Sequence, residues 1–219
     1  MKKLIAYYKY ISIVIVVFFI NVNLNYSLDL KLGPKLSPNL STHYGETSSD
    51  ENLGDASFTL NLLGLGATAR TVLSGNIGIG LDFLYISKDV DYESEYSTNV
   101  YEANVLEIPI ILLYNHSSGI YGGLGFGFNI LLSPDATGKL SSDDFNTFYF
   151  TIPFRLGYVL EMNPYIANLG IDFDLCFELG FDLGLTNLFK DDIYPTGGEP
   201  EWKDMSILFG ISALFDLNV

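Results

Sequence analysis

The chain alternates between apolar and polar residues at every second position along most of its length. The clearest stretch is IDFDLCFELGFDLGL at residues 171–185, where every odd position is apolar and the even positions hold acids, glycines and one cysteine. A period of two is typical of β-strands with two different faces, and no segment after residue 27 shows the spacing of an amphipathic helix. We predict eight strands, over residues 28–36, 57–70, 76–87, 101–115, 119–132, 147–160, 168–185 and 205–217.

The connections between these strands alternate in length, and the long ones are rich in Asp and Glu. In an up-and-down meander, alternate connections lie at opposite ends of the sheet. Outer-membrane barrels have short periplasmic turns and longer extracellular loops. The pattern therefore predicts an all-β fold, an eight-stranded antiparallel up-and-down transmembrane β-barrel. The long connections are 37–56, 88–100, 133–146 and 186–204, and the short ones are 71–75, 116–118 and 161–167.

Alternation alone does not say which face is inside, because a soluble lipocalin-like barrel also alternates, with its apolar side inwards. The polar face is rich in glycine, as at Gly123, Gly125 and Gly127, whereas the apolar face is bulky throughout. The interior of an eight-stranded barrel has little room, so we expect the glycine-rich face inside and the apolar face towards lipid, in a band about 25 Å tall. The aromatic residues expected to form interfacial girdles are Tyr85, Tyr114, Phe148 and Tyr158.

The N-terminal residues 1–27 resemble a secretory signal peptide. A basic start is followed by an uncharged apolar run at 10–22, which is too short to cross a bilayer as a helix of roughly 20 residues. The alternative is a single N-terminal membrane anchor. We assign residues 28–219 to one barrel domain, in which no run of 18 apolar residues remains.

The charge of the chain excludes one class of function. Its formal charge is −15, and removal of residues 1–27 would take away three lysines and no acid, giving −18. Such a chain lacks the basic stripe that nucleic-acid binding requires. The single cysteine, Cys176, has no partner within the chain for a disulfide.

The two histidines predict no shared site. His43 falls in the first long connection and His116 in a short turn, at opposite ends of the predicted barrel. We expect His43 to be a solvated loop residue, and we expect no enzyme activity, no cofactor and no metal. A hydrolase site that pairs His43 with a loop acid is the alternative.

Several charged residues fall on the predicted inward face. If the sixth and seventh strands pair through the turn at 161–167, Arg155 lies opposite Asp172 and diagonal to Asp174. We predict an internal network of ion pairs around Arg155 that closes the lumen, since buried charges require partners. The alternative is that Arg155 extends to the periplasmic rim. The predicted network consists of Arg155, Asp172, Asp174, Glu178, Glu107 and Lys31.

Two prolines conflict with a closed sheet. Pro109 and Pro153 lie in the middle of predicted strands, where a residue without an N–H leaves a gap in the hydrogen-bond ladder. Both fall on the inward face, and we expect β-bulges to accommodate them.

Four short motifs carry a family resemblance: LDLKLGPKLS after the predicted signal, EIPIILLY, TIPFRLGY and GLTNLF. They are similar to motifs of the small outer-membrane β-barrel proteins related to PorT, found in Bacteroidetes and spirochaetes. The likeness covers most of residues 28–219 through short motifs. It implies a bacterial outer-membrane barrel and no catalytic residue. The C-terminus departs from a common barrel pattern because it lacks a terminal aromatic residue.

The sequence favours a structural or surface-interaction scaffold with acidic extracellular loops. Eight strands enclose side chains and not an aqueous channel, so no open pore is expected. The expected partners are outer-membrane lipid, the barrel-assembly machinery, and an envelope or host-surface component at the acidic loops. The alternatives are a narrow transport or secretion accessory channel and a soluble, secreted lipocalin-like ligand-binding barrel.

Overall fold

The computed structural model describes residues 29–45, 55–93, 98–136, 143, 145–162, 172–188, 190 and 202–217. The predicted signal peptide and most of the predicted turn at 161–167 lie outside these residues. Among the described residues there is no helix with the length and apolar character needed to cross a membrane. The strands are β1 Leu30–Leu36, β2 Asn39–Tyr44, β3 Asp55–Ala56, β4 Thr59–Asn61, β5 Gly64–Ser74, β6 Ile77–Glu93, β7 Thr98–Asn115, β8 Ile120–Ala136, β9 Phe148–Glu161, β10 Phe173–Gly184 and β11 Lys203–Leu217.

Eight of these strands form a closed antiparallel ring. β1, β5, β6, β7, β8, β9, β10 and β11 pair in that order, and β11 pairs back with β1. β2 continues β1 along β11 in the same register, β4 precedes β5 and pairs with β2, and β3 pairs with β6. The predicted eight-stranded up-and-down barrel is therefore confirmed, with three short strands that extend its wall.

The predicted long connection at 88–100 is wrong. β6 continues to Glu93 and β7 begins at Thr98, so the two strands form one long hairpin. Beyond Tyr85 the outward residues become polar, as at Asp89, while the inward Val90 is apolar and buried. The alternation thus continues with its faces exchanged, which is why the pattern suggested a polar loop.

The apolar face lies on the outside of the barrel, as predicted. On β8, Leu124 and Phe126 are about half exposed, whereas Tyr121 and Asn129 on the other face are buried. On β10, the outward side chains from Phe173 to Leu183 span about 33 Å along the strand at roughly 3.3 Å per residue. A strand tilt near 40° converts this length into about 25 Å along the membrane normal, which matches the apolar band of outer-membrane barrels.

The four aromatic residues proposed for interfacial girdles all face outwards. Tyr114 and Tyr158 lie near the short-turn end of the barrel, and Tyr85 and Phe148 lie towards the long-loop end. Tyr85 and Phe148 fall in one row across β6, β7, β8 and β9 by register. This row coincides with the change from apolar to polar outward residues on β6.

The predicted bulge at Pro109 is wrong, because the strand keeps its register through the proline. The ladder between β6 and β7 is interrupted between the pair of Leu81 with Ile110 and the pair of Leu84 with Glu107, and the register is the same on both sides. On its other side, Pro109 stays paired with β8. Because proline has no N–H, two residue pairs are absent from the ladder on one side of β7, and no extra residue is inserted.

Pro153 is accommodated in the same way. It lies in an interruption between β8 and β9 without a change of register, and Pro34 lies in a similar interruption between β1 and β11. Gly125, which the register places opposite Pro153, lies very close to the backbone of the neighbouring strand β7. A Cβ on Gly125 would lie 2.0 Å from the carbonyl oxygen of Ile110, so only glycine fits there.

Candidate functional site

The lumen is filled by charged side chains from seven of the eight ring strands. None of these side chains is more than 11 % exposed, and they form two groups. The central cluster consists of Lys35, Arg70, Asp82, Arg155, Glu178 and Asp182, and the upper cluster, nearer the long-loop end, consists of Lys88, Glu107 and Asp204.

In the central cluster, Lys35 bridges acids on two separate strands, and Arg155 contacts two acids of the neighbouring strand β10. Lys35 Nζ on β1 donates to Asp82 Oδ2 at 2.6 Å and to Glu178 Oε1 at 2.5 Å. Arg155 on β9 donates through Nη1 and Nη2 to both carboxylate oxygens of Asp182, and its Nε lies 3.4 Å from Glu178 Oε1. Bidentate contacts of this kind are the stronger and more directional class of ion pair.

Glycine provides the space for these long side chains. A Cβ on Gly180 would lie 3.0–3.2 Å from guanidinium and Cδ atoms of Arg155, and a Cβ on Gly210 would lie 3.1 Å from Cε of Lys35. The glycine-rich inward face therefore does more than fit a narrow lumen. It leaves the volume that the charged side chains occupy.

The upper cluster centres on a lysine with two acids. Lys88 Nζ on β6 lies 2.6 Å from Asp204 Oδ2 on β11 and 2.5 Å from Glu107 Oε1 on β7. The three side chains are 1–2 % exposed, and the ammonium group also lies 5.7 Å from the ring centroid of Tyr149. The network continues through a cation–π contact into the apolar residues above it.

An apolar cap closes the lumen at the long-loop end. Backbone hydrogen bonds of 2.7 Å run from Asn146 to Leu188 and from Leu188 to Trp202 and link three segments of the chain at this end. His43 is 7 % exposed, and its ring lies 5.0 Å from that of Tyr101, so the expectation of a solvated loop histidine is wrong. The cap consists of Val90, Tyr101, Ala103, Val105, Leu131, Phe145, Tyr149, Leu188 and Trp202.

This architecture agrees with the match of the sequence to known families. Residues 25–190 match the family model described as the outer membrane protein beta-barrel domain. The chain belongs to this family. It is therefore a bacterial outer-membrane β-barrel protein with its apolar face towards lipid, and the soluble lipocalin-like alternative is wrong.

Solved structures of other outer-membrane barrels are similar to this one at low sequence identity. OprG from Pseudomonas aeruginosa has a TM-score of 0.51 at 12 % identity over 89 % of this chain and 98 % of its own. AlkL has a TM-score of 0.47 at 16 % identity over 90 % and 97 %. Ail of Yersinia pestis has 0.41 at 11 % identity over 85 % and 99 %. OprG supports the fold alone, and no curated protein matches the sequence.

In this outer-membrane barrel the predicted partner of Arg155 is wrong. Arg155 is in register with Gly180, and Asp172 is an exposed residue just before β10. The connection between β9 and β10 is longer than the predicted turn, which moves the register by eight residues. The alternative that Arg155 extends to the rim is also wrong, since its side chain is 1 % exposed.

The other predicted network residues are distributed along the lumen. Glu178 belongs to the central cluster and Glu107 to the upper cluster. Asp174 lies near the short-turn end, where Lys31 Nζ donates to its Oδ2 at 2.7 Å and lies 3.3 Å from Asp216 Oδ1. The sequence prediction did not include six members of the two clusters. Each of them lies an even number of residues from an inward glycine or from a predicted inward charge on the same strand, and this spacing could have placed it on the inward face. They are Lys35, Arg70, Asp82, Lys88, Asp182 and Asp204.

The arrangement favours a structural role for the lumen. Each acid of the two clusters contacts a lysine or arginine within 4 Å. Within the described part of the chain, no group of three or more His, Cys, Asp or Glu residues is arranged to hold a metal ion. His116 lies in the exposed turn between β7 and β8, at the opposite end from His43.

Proposed function

We propose that this outer-membrane barrel is a closed scaffold that presents an anionic surface at its long-loop end. The observation that carries the proposal is the filled lumen, in which the central cluster, the upper cluster and the apolar cap lie one above the other. An ion crossing the barrel would have to separate several buried ion pairs and displace packed aromatic side chains. Breaking one buried pair typically costs about 3–5 kcal/mol, so spontaneous opening of all three layers is rare.

The outer surface beyond the apolar band supports a role in surface interaction. Asp89, Glu102 and Asp135 lie directly opposite one another on β6, β7 and β8, in the polar region beyond Tyr85. Like charges at opposing positions destabilise a sheet, so this row has a cost in the isolated protein. A positively charged partner in the envelope or on a host surface would relieve that repulsion. The predicted acidic loops, much of which lie outside the described residues, would extend the same surface.

The remaining parts of the proposal concern origin and assembly. Export by a signal peptide at residues 1–27, insertion by the barrel-assembly machinery and a relationship to the PorT-related proteins are supported by the sequence patterns alone. No catalytic role is proposed for the barrel.

Single-channel recording in planar lipid bilayers tests the closed lumen. We expect the purified protein to show no steady openings, whereas a porin measured in the same bilayer gives stable conductance steps. Steady openings of the wild-type barrel would refute the closed scaffold and favour the narrow transport or secretion accessory channel.

A binding assay tests the anionic surface. Detergent-solubilised protein should bind a polylysine-coated surface, and this binding should weaken as ionic strength rises. The double variant Glu102→Gln with Asp135→Asn should bind less than the wild type. A matched variant at the other end of the barrel, Glu161→Gln, should bind as the wild type does. Equal binding of all three proteins would argue against this surface.

A further inference from the structure

Four large apolar side chains form an exposed patch on β4 and the residues on either side of it. They are 43–78 % exposed, and Leu62 is the most exposed large apolar side chain in the described part of the chain. The neighbouring strand β6 presents the polar residues Ser87 and Asp89 outwards at this level, and Ser87 N donates to Leu63 O at 3.0 Å. The proposed scaffold function uses the acidic row on β6, β7 and β8 and leaves this patch unexplained. The patch consists of Phe58, Leu60, Leu62 and Leu63.

Hydrogen bonds to the strands on both sides hold the patch in a fixed position. Asn61, which is 3 % exposed, donates from Nδ2 to Ser41 Oγ on β2 at 2.5 Å. Its Oδ1 accepts a hydrogen bond from the backbone N–H of Asp89 on β6 at 3.1 Å. Because Asn61 points inwards, the alternation of the strand directs Leu60 and Leu62 outwards.

The patch is continuous with the lipid-facing surface of the barrel. Leu60 pairs with Leu40 on β2, and the row of paired residues continues through β11, β10 and β9 to Leu124 on β8. Leu124 is about half exposed within the apolar band. Every residue of this row is apolar and lies on the outward face of its strand, so no polar strip separates the patch from lipid. The residues between Leu40 and Leu124 are Ile207, Phe181 and Phe154.

The tilt of the strands places Leu60 near the height of Phe148. The same row continues from Leu124 around the ring to Leu30 on β1, whereas its other end reaches Leu40 on β2, which continues β1. The row therefore rises towards the long-loop end from β1 to β11. The five steps from β8 to β4, each of about 4.8 Å at a tilt near 40°, raise Leu60 about 15 Å above Leu124. Phe148 lies roughly 18 Å above Leu124 by the same geometry, so the patch is within the apolar band.

We propose that acyl chains of the leaflet at the long-loop end cover this patch. Large apolar side chains gain free energy when they leave water, and a patch of several is unusual on a surface that stays in water. Lipid is the occupant that the row from Leu124 to Leu60 contacts along the rest of its length. The edge of the hydrocarbon then runs between β4 and β6, with Leu60 in lipid and Asp89 in water at similar heights. β4 thus anchors the long-loop end of the barrel in the membrane on one side.

Spin labels at two positions test the proposal. Leu60→Cys and Leu62→Cys are each labelled with a nitroxide, and the protein is reconstituted into phosphatidylcholine vesicles. Both positions are exposed, so the variants should fold, and the native Cys176 is 1 % exposed and should not react in the folded barrel. EPR measures the accessibility of each label to oxygen, which concentrates in hydrocarbon, and to a water-soluble nickel chelate. We expect high oxygen accessibility and low nickel accessibility at both positions.

Two control positions set the scale. Leu124→Cys reports the lipid-facing band, and Glu102→Cys reports the exposed polar surface of β7. The ratio of oxygen to nickel accessibility at both patch positions should be close to that of Leu124→Cys and well above that of Glu102→Cys. A ratio at either patch position equal to that of Glu102→Cys would place the patch in water and overturn the proposal. Low accessibility to both reagents would also overturn it, because protein would then cover the patch, and spin–spin broadening would identify that protein as a second copy.

Discussion

Replacement of Arg155 with methionine tests whether the central cluster stabilises the barrel. The variant keeps a long side chain and removes the guanidinium, which donates to both carboxylate oxygens of Asp182. Lys35 and Arg70 still contact Glu178, so the main charge that loses its cation is Asp182. The Arg155 side chain is 1 % exposed and that of Asp182 is 2 % exposed, so bulk water does not replace the lost partner without a rearrangement.

The expected loss follows from the cost of leaving one buried charge unpaired, about 3–5 kcal/mol. Because Glu178 keeps two cations, we expect a value near the lower limit, about 3 kcal/mol. This is a large part of the 5–15 kcal/mol that is usual for folded domains, and it would shift the unfolding equilibrium by roughly two orders of magnitude.

Urea unfolding of the protein in detergent micelles measures this difference. The chain has a single tryptophan, Trp202, which is 3 % exposed in the apolar cap, so its fluorescence reports the loss of the folded lumen. The free energy of unfolding is obtained from the transition midpoint and slope. The control is the double variant Arg155→Met with Asp182→Asn, which removes both charges. It should recover part of the stability lost in the single variant.

Two results would refute this reasoning. A free energy of unfolding for Arg155→Met within about 0.5 kcal/mol of the wild type would show that the buried ion pair adds little, as is usual for surface substitutions. A double variant as unstable as the single one would show that the loss comes from packing and not from an unpaired charge.

Two other predictions follow from the wall of the barrel. Gly125→Ala should greatly reduce the heat-resistant folded band on gels, because its Cβ would lie 2.0 Å from the Ile110 carbonyl oxygen. The control is Gly122→Ala, whose Cβ has no neighbour closer than 3.8 Å and which should leave that band unchanged. Folded bands of equal intensity for the two variants would contradict the close approach at Gly125. Glu102→Gln should raise the free energy of unfolding by up to about 1 kcal/mol at low salt, and less at high salt, because it removes the middle charge of an acidic row. Unfolding curves at two ionic strengths check this, and a loss of stability at low salt would contradict it.

The number of strands in the closed ring and the direction of their faces could be predicted from the sequence, whereas the strand lengths and the three short strands could not. Within the membrane band, bulky apolar residues alternate with glycines and charges, and this contrast marks both faces clearly. Beyond Tyr85 on β6 the contrast reverses, with Asp89 outside and Val90 inside. His43 lies in β2, which carries polar residues on both faces, so no alternation marks it as a strand residue. The burial of His43 comes from contact with a distant ring.

The charged residues of the lumen were predictable by face but not by partner. Parity along a strand decides whether a side chain points inwards, and an error of an even number of residues in register leaves parity unchanged. The predicted register placed Arg155 opposite Asp172, eight residues from its observed position opposite Gly180. Its actual acid, Asp182, is two residues further along the same face. Contacts across the lumen depend in addition on how the ring closes, which no local pattern contains.

The wide separation of these ion pairs along the chain has a consequence for how the barrel enters the membrane. Lys35 contacts acids that are 47 and 143 residues away, and Lys88 contacts Asp204 across 116 residues. A partly inserted sheet would therefore expose unpaired charges of its first strands to acyl chains until its last strands arrived. Insertion should consequently proceed as one concerted closure, with partial hairpins kept away from hydrocarbon until β11 meets β1.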